Sequence, residues 1–93
     1  MKYFLLELSV IFLIEDLFLN KVVLSSEISG SVWKIKCNVG DVIEEGQEVL
    51  IIESMKMEIP VISDFSGTVI SILVNEGEMV NEDQKLIELH KKD

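Results

Sequence analysis

The sequence predicts an all-β fold made of two similar halves, and three observations carry that expectation. From about residue 25 the chain consists of short apolar runs rich in Val and Ile, punctuated by Gly, Asn and Asp. No stretch of that part has a helical period. Residues 30–50 also recur as residues 67–87, at a constant offset of 37 and without a gap.

The elements follow in order. The chain has 93 residues, enough for one small domain and too few for two. Residues 1–24 read as an N-terminal extension. Residues 3–19 are rich in Phe, Leu and Ile, but Glu7, Glu15 and Asp16 interrupt them. A membrane span asks for about 20 apolar residues with few charges, and each carboxylate is costly at the bilayer centre. No small-residue cleavage site follows, and the polar positions do not share one helical face. Two readings stay open for this segment: a helix docked on something apolar, or an upstream addition that the domain does not need. The domain itself is expected over residues 25–93. Its strand candidates are residues 32–35, 49–52, 69–73 and 86–89, with turns at 39–41, 44–46 and 76–78.

The repeat makes the architecture more specific. Gly30 and Gly67, Val32 and Val69, Ile35 and Ile72, Asn38 and Asn75, Gly40 and Gly77, Glu45 and Glu82, and Gln47 and Gln84 are identical pairs. Two such copies form two similar halves about an approximate two-fold axis. Each half alone has too little core, so the halves must bury their apolar faces on one another. Gly40 and Gly77, each followed by an acid (Asp41, Glu78), read as turn glycines. A phosphate-cradling loop is excluded, because no helix follows whose N-terminus would face an anion.

Charge narrows the function classes. The net charge is −9, and residues 25–93 hold 14 of the acidic and 6 of the basic side chains. Such a surface repels nucleic acid and anionic lipid, so neither is expected as a partner. The single cysteine, Cys37, cannot form an internal disulfide, and Cys37 with His90 is too small a set for a structural metal. Cys37 lies in an apolar stretch and reads as a small core residue, compatible with a reducing cytoplasm. No nucleophile–base pair is visible, so no enzyme activity is expected.

One segment stands outside the repeat. Residues 53–66 join the copies and contain Glu53-Ser54-Met55-Lys56-Met57-Glu58, then Ile59-Pro60. Strand-like runs flank it, so residues 54–58 are the natural place for a tight hairpin turn with Lys56 at the surface. Most lysines are merely solvated. Two methionines at an exposed turn have no such bland explanation, because methionine ordinarily fills cores. A long primary amine at a protruding point is what a modifying enzyme needs to reach.

These residues resemble the attachment motif of biotinyl domains, found in biotin carboxyl carrier proteins and biotin-dependent carboxylases. Glu-Ser-Met-Lys-Met-Glu-Ile-Pro, then Gly67-Thr-Val, and Val-Gly-Asp-x-Ile-Glu-Glu-Gly-Gln upstream carry the likeness, over about residues 28–89. The short domain is similar to the stand-alone biotin/lipoyl attachment proteins of bacteria. The resemblance implies a flattened β-barrel or sandwich of two four-stranded antiparallel sheets with quasi-two-fold symmetry, a barrel-sandwich hybrid. It implies biotin attached to Lys56 by a biotin protein ligase, loaded by a biotin carboxylase and unloaded by a carboxyltransferase. Glu53, Met55, Met57, Glu58 and Pro60 would shape the turn for recognition, and Gly46 and Gly67 would keep folded turns beside Gly40 and Gly77. No metal is implied. Acetyl-CoA carboxylase and fatty acid biosynthesis would be one setting. The Ala/Pro-rich linker and the protruding insertion common in those carrier subunits are both missing here.

Two rivals follow from other patterns. A lipoyl domain shares the expected fold and would carry acyl groups, but such domains usually place an acidic residue before the lysine, where Met55 stands. A membrane-anchored adaptor with a lipoyl-like barrel would explain the apolar start, but its barrel is split by a long coiled coil where residues 53–66 run straight through.

Overall fold

The computed structural model describes residues 20–92. The apolar segment over residues 3–19, and with it the docked-helix and membrane-anchor readings, lies outside the described residues. Among the described residues there is no helix, and none long and apolar enough to cross a membrane.

Eight strands form. They are β1 (Lys21–Ser25), β2 (Gly30–Ile35), β3 (Val42–Ile43), β4 (Glu48–Ser54), β5 (Met57–Ile62), β6 (Gly67–Ile72), β7 (Met79–Val80) and β8 (Lys85–Lys91). They make two four-stranded sheets, one ordered β1-β8-β6-β3 and the other β5-β4-β2-β7, with every pairing antiparallel. The two-sheet all-β expectation is thus met. The domain starts earlier than residue 25, however. Residues 21–24, expected in the extension, form most of β1 and pair with β8, Lys21 opposite His90 and Leu24 opposite Ile87.

The 37-residue offset governs the whole barrel. Each of β2, β3 and β4 maps onto β6, β7 and β8, and β1 maps onto β5. The register irregularities repeat as well: a bulge falls between Val32 and Lys34 in β2, and between Val69 and Ser71 in β6. Inward-facing side chains of both sheets, among them Val32, Ile43, Leu50, Ile52, Val69, Leu86, Ile87 and Leu89, merge into one core. Cys37 belongs to that core, as does its repeat equivalent Val74. Burial, with Asp41 nearby, pushes the Cys37 thiol up, away from the thiolate.

The crossings between sheets are held by paired hydrogen bonds. The Gly40 N–H donates to the Val69 carbonyl and the Gly77 N–H to the Val32 carbonyl. In each half a glutamine closes the next turn: Gln47 Oε1 accepts from the Glu44 N–H, and Gln84 Oε1 from the Asn81 N–H, both at 3.0 Å. Ser26 and Ser63, both buried, turn the chain into β2 and β6 by donating to the carbonyls of Ile28 and Phe65. Two of the identical pairs of the repeat, Gly40 with Gly77 and Gln47 with Gln84, are therefore residues that close turns where the chain changes sheet.

Candidate functional site

The site is the β4–β5 hairpin. Val49, Leu50 and Ile52 anchor β4 in the core, and β5 lies beside it at the sheet edge. Pro60 sits opposite Ile51 on β5, an edge strand, where a missing N–H is tolerated. Ser54 pairs with Met57, so only Met55 and Lys56 form the turn.

The turn is conformationally costly. Met55 has φ 53° and Lys56 has φ 64°, the left-handed values that a two-residue type I′ hairpin demands at both central positions. Asn-Gly is the usual solution. A bulky L-residue pays about 1–2 kcal/mol in this region, and two stand here side by side. A sequence selected for stability alone would place glycine at this point, so the strain makes the tip a candidate for function. The conformation also holds the Lys56 side chain outward from a short, well-paired ladder.

Around it the surface is open. Met55 is 92% exposed and Met57 62%. Lys56 is exposed and makes no ion pair or hydrogen bond within the described residues. Glu53 and Glu58 stand directly opposite each other across the ladder, both exposed, one step below the tip. The structure therefore brings together Glu53, Met55, Lys56, Met57, Glu58 and Pro60 on one hairpin. No group of His, Cys, Asp or Glu among the described residues is arranged to hold a metal.

The glycines are structural and lie away from the tip, with one correction. Gly40, Gly46 and Gly77 have φ of 94°, 89° and 89° and belong to turns. Gly67 does not. It is the first residue of β6, and a Cβ there would lie 2.3 Å from the His90 carbonyl oxygen of β8. Its repeat partner Gly30 has the same problem with the Glu53 carbonyl, at 2.5 Å. Both glycines let two strands approach. Asp83, which the sequence did not single out, takes the left-handed place of Gly46 in the second half, with φ 69°. The repeat alignment contained that signal.

With the geometry in hand, the comparisons with known proteins are decisive. Residues 23–89 match the model of the Biotin_lipoyl family, described as "Biotin-requiring enzyme". The chain belongs to the biotin/lipoyl attachment family. The cofactor that this family requires is biotin. The chain is 55% identical over 38 residues to the Biotin/lipoyl attachment protein of Bacillus subtilis (strain 168), covering 41% of this chain and 52% of that protein. It is 51% identical over 37 residues to Biotinylated protein TB7.3 of Mycobacterium bovis, covering 40% and 52%. The match thus spans about half the length of these curated relatives. Among solved structures it resembles the urea carboxylase of Kluyveromyces lactis, with TM-score 0.71 and 39% identity, over 74% of this chain and 6% of that one. The chain is accordingly a biotinyl domain of the kind found in biotin-dependent carboxylases.

Proposed function

We propose that Lys56 is the lysine that bears biotin, and that the chain serves as a carrier subunit handing carboxyl groups from a biotin carboxylase to a carboxyltransferase. The observation that carries this reading is the exposed lysine on a two-residue turn whose central residues are both left-handed and neither is glycine. The name of the Bacillus relative, and the urea carboxylase to which the fold is similar, support it.

The chain's own residues present an amine. A biotin protein ligase supplies biotin with an activated carboxyl group. The Lys56 ammonium gives up a proton to the ligase or to water, and its nitrogen attacks the activated carbonyl carbon. An amide C–N bond forms, the nitrogen gives up a second proton to the ligase or to water, and the bond to the leaving group breaks, the leaving group departing with its electron pair. Bound biotin supplies a ureido nitrogen able to hold and release a carboxyl group. Met55 and Met57 give the ligase an apolar, adaptable contact on both sides of the amine, while Glu53, Glu58 and Pro60 set the shape beneath it. An acyl-CoA, a keto acid or urea would each suit as the final acceptor. The acidic surface and a single buried thiol suit a reducing cytoplasm.

The test is intact-mass measurement and a streptavidin blot of the protein from its host, beside a Lys56→Arg chain. A biotin adduct on the native chain that vanishes in the variant is expected. A persisting band would reassign the lysine, and an adduct of lipoyl mass would turn the reading to acyl transfer.

A further inference from the structure

β1 and β5 are equivalent strands of the repeat, and each is an edge of its own sheet. Edge strands present backbone N–H and C=O groups that their sheet does not take up. Between these two edges lies a cleft of about 220 Å³. Ile28, Ile52, Ile59, Val61 and Phe65, all buried or half-buried, line it with apolar surface. Glu27 and Asp64, equivalent residues from the two halves and both exposed, line it with carboxylates. The cleft does not respect the two-fold plan. Ile52 and Ile59 line it, while their repeat equivalents Leu89 and Val22 do not. Ile52 and Ile59 face each other two ladder steps below the Ser54–Met57 pair that closes the turn. The cleft is therefore displaced toward the end of the sheet that carries Lys56.

Size, charge and reach limit what can fill it. Pockets for drug-sized ligands run to about 300–1,000 Å³, so this smaller cleft suits a compact fused ring. Two carboxylates, on a chain of net charge −9, oppose an anionic occupant such as a fatty-acid head group. They favour a neutral ligand that donates hydrogen bonds. Ile59 is three residues from Lys56, about 10 Å at the rise of a strand. A lysine bearing biotin has about eleven bonds between its Cα and the fused ring. Three extended backbone bonds cover about 3.3–3.6 Å, so eleven cover about 12–13 Å. The ring arrives at the level of Ile59. Its two ureido N–H groups are neutral donors, and its sulfur-bearing half is apolar.

We propose that the cleft between β1 and β5 is a resting site for the ring of the chain's own biotin. The proposal rests on the reading of Lys56 given above. The apolar lining removes ring surface from water, and Glu27, Asp64 and the strand edges supply hydrogen-bond acceptors. Tethering makes a weak site sufficient. A short flexible arm gives an effective concentration on the order of millimolar. A Kd of that order keeps the ring in the cleft about half the time and leaves it open to partners for the rest.

The experiment compares the full chain by NMR in two forms, biotinylated by a purified ligase and as Lys56→Gln, which removes the charge without adding the arm. Amide and side-chain resonances of Ile28, Ile59, Val61 and Phe65 are expected to shift in the biotinylated form, with nuclear Overhauser contacts to the ring protons, and to stay in place in Lys56→Gln. Biotin methyl ester, a neutral probe, should shift the same resonances of the unbiotinylated chain saturably, with a Kd on the order of millimolar. Glu27→Gln with Asp64→Asn, both at exposed positions, should weaken that Kd about threefold, the low end of one hydrogen bond's net contribution. Shifts confined to residues 53–58, or an ester that does not saturate, would overturn the proposal. So would contacts from the cleft to residues 3–19 in both forms, which would give it to the leading segment. Cleft shifts that grow with chain concentration would give it to a second copy and overturn the proposal too. Biotin mapped by mass to another lysine would instead overturn the reading of Lys56, on which the ester titration does not depend.

Discussion

The two halves of the barrel share a backbone and differ in what they do with it. Residues 30–50 and 67–87 fold alike down to the bulge in β2 and β6 and the glutamine that closes each turn. At the end of β4 the chain turns back through Met55 and Lys56. At the equivalent end of β8 the backbone is tied to the segment entering β1, the Asn20 carbonyl accepting from the Lys91 N–H. The same contrast holds in the middle of each sheet, where Ile51, opposite Lys34 and Pro60, matches Glu88 held by Lys21 and Ser71. Equivalence marks what the fold requires, and difference marks what was left free for function.

The strongest way to break the comparison is at the close approaches. Gly67→Ala would drive a methyl group into the His90 carbonyl, and Gly30→Ala into that of Glu53. Each is expected to cost about 3 kcal/mol or more, at the upper end of overpacking effects. Urea unfolding should give similar losses for both. A large inequality would show that the halves are not mechanically equivalent.

Truncating the odd residue of the hairpin face comes next. Ile51→Ala should cost about 2 kcal/mol, the low end for a buried aliphatic side chain. A change near zero in the same urea titration would mean that Ile51 contributes no packing to the free domain. At the tip the sign reverses. Met55→Asn places a residue that tolerates left-handed φ in the turn, and should raise stability by up to about 1 kcal/mol. Labelling by the ligase should fall at the same time. A thermal melt and a biotinylation rate on one sample check both halves of that trade.

The smallest effect concerns acid. Hydrogen bonds from Lys21 and Ser71 hold the Glu88 carboxyl below its ordinary range. A group depressed in the folded state adds stability above its unfolded pKa, and loses it as pH falls through the folded one. The contribution is therefore present at neutral pH and fades below the usual carboxylate range. Glu88→Gln should flatten that acid limb of melting temperature against pH. Ile51, its mate, has no such limb to lose.

Much of this was legible in the residues. The repeat, with Asn38 and Asn75 or Gln47 and Gln84 at fixed spacing, gave the two-fold plan because turn chemistry is local and depends on residue type. Lys56 stood out because the two methionines beside it had no packing role, and both are exposed in the structure. β1 was not, since residues 21–24 follow an apolar segment without a break in composition and gain strand identity only by pairing with β8. Nor were the two-residue strands β3 and β7, too short to show a period. Gly67 was misread as a turn residue, because a glycine needed for close approach looks the same in sequence as one needed for its φ.

The sequence by itself determined the all-β class, the two equivalent halves and the lysine between them, because periodicity, turn residues and repetition are written along the chain. Only the tertiary structure decided that Met55 and Lys56 adopt strained left-handed backbone, that Glu53 faces Glu58, and that Ile51 lies between Lys34 and Pro60. Those facts depend on register between strands distant in sequence, and a shift of one residue would move every one of those side chains to the opposite side of its sheet.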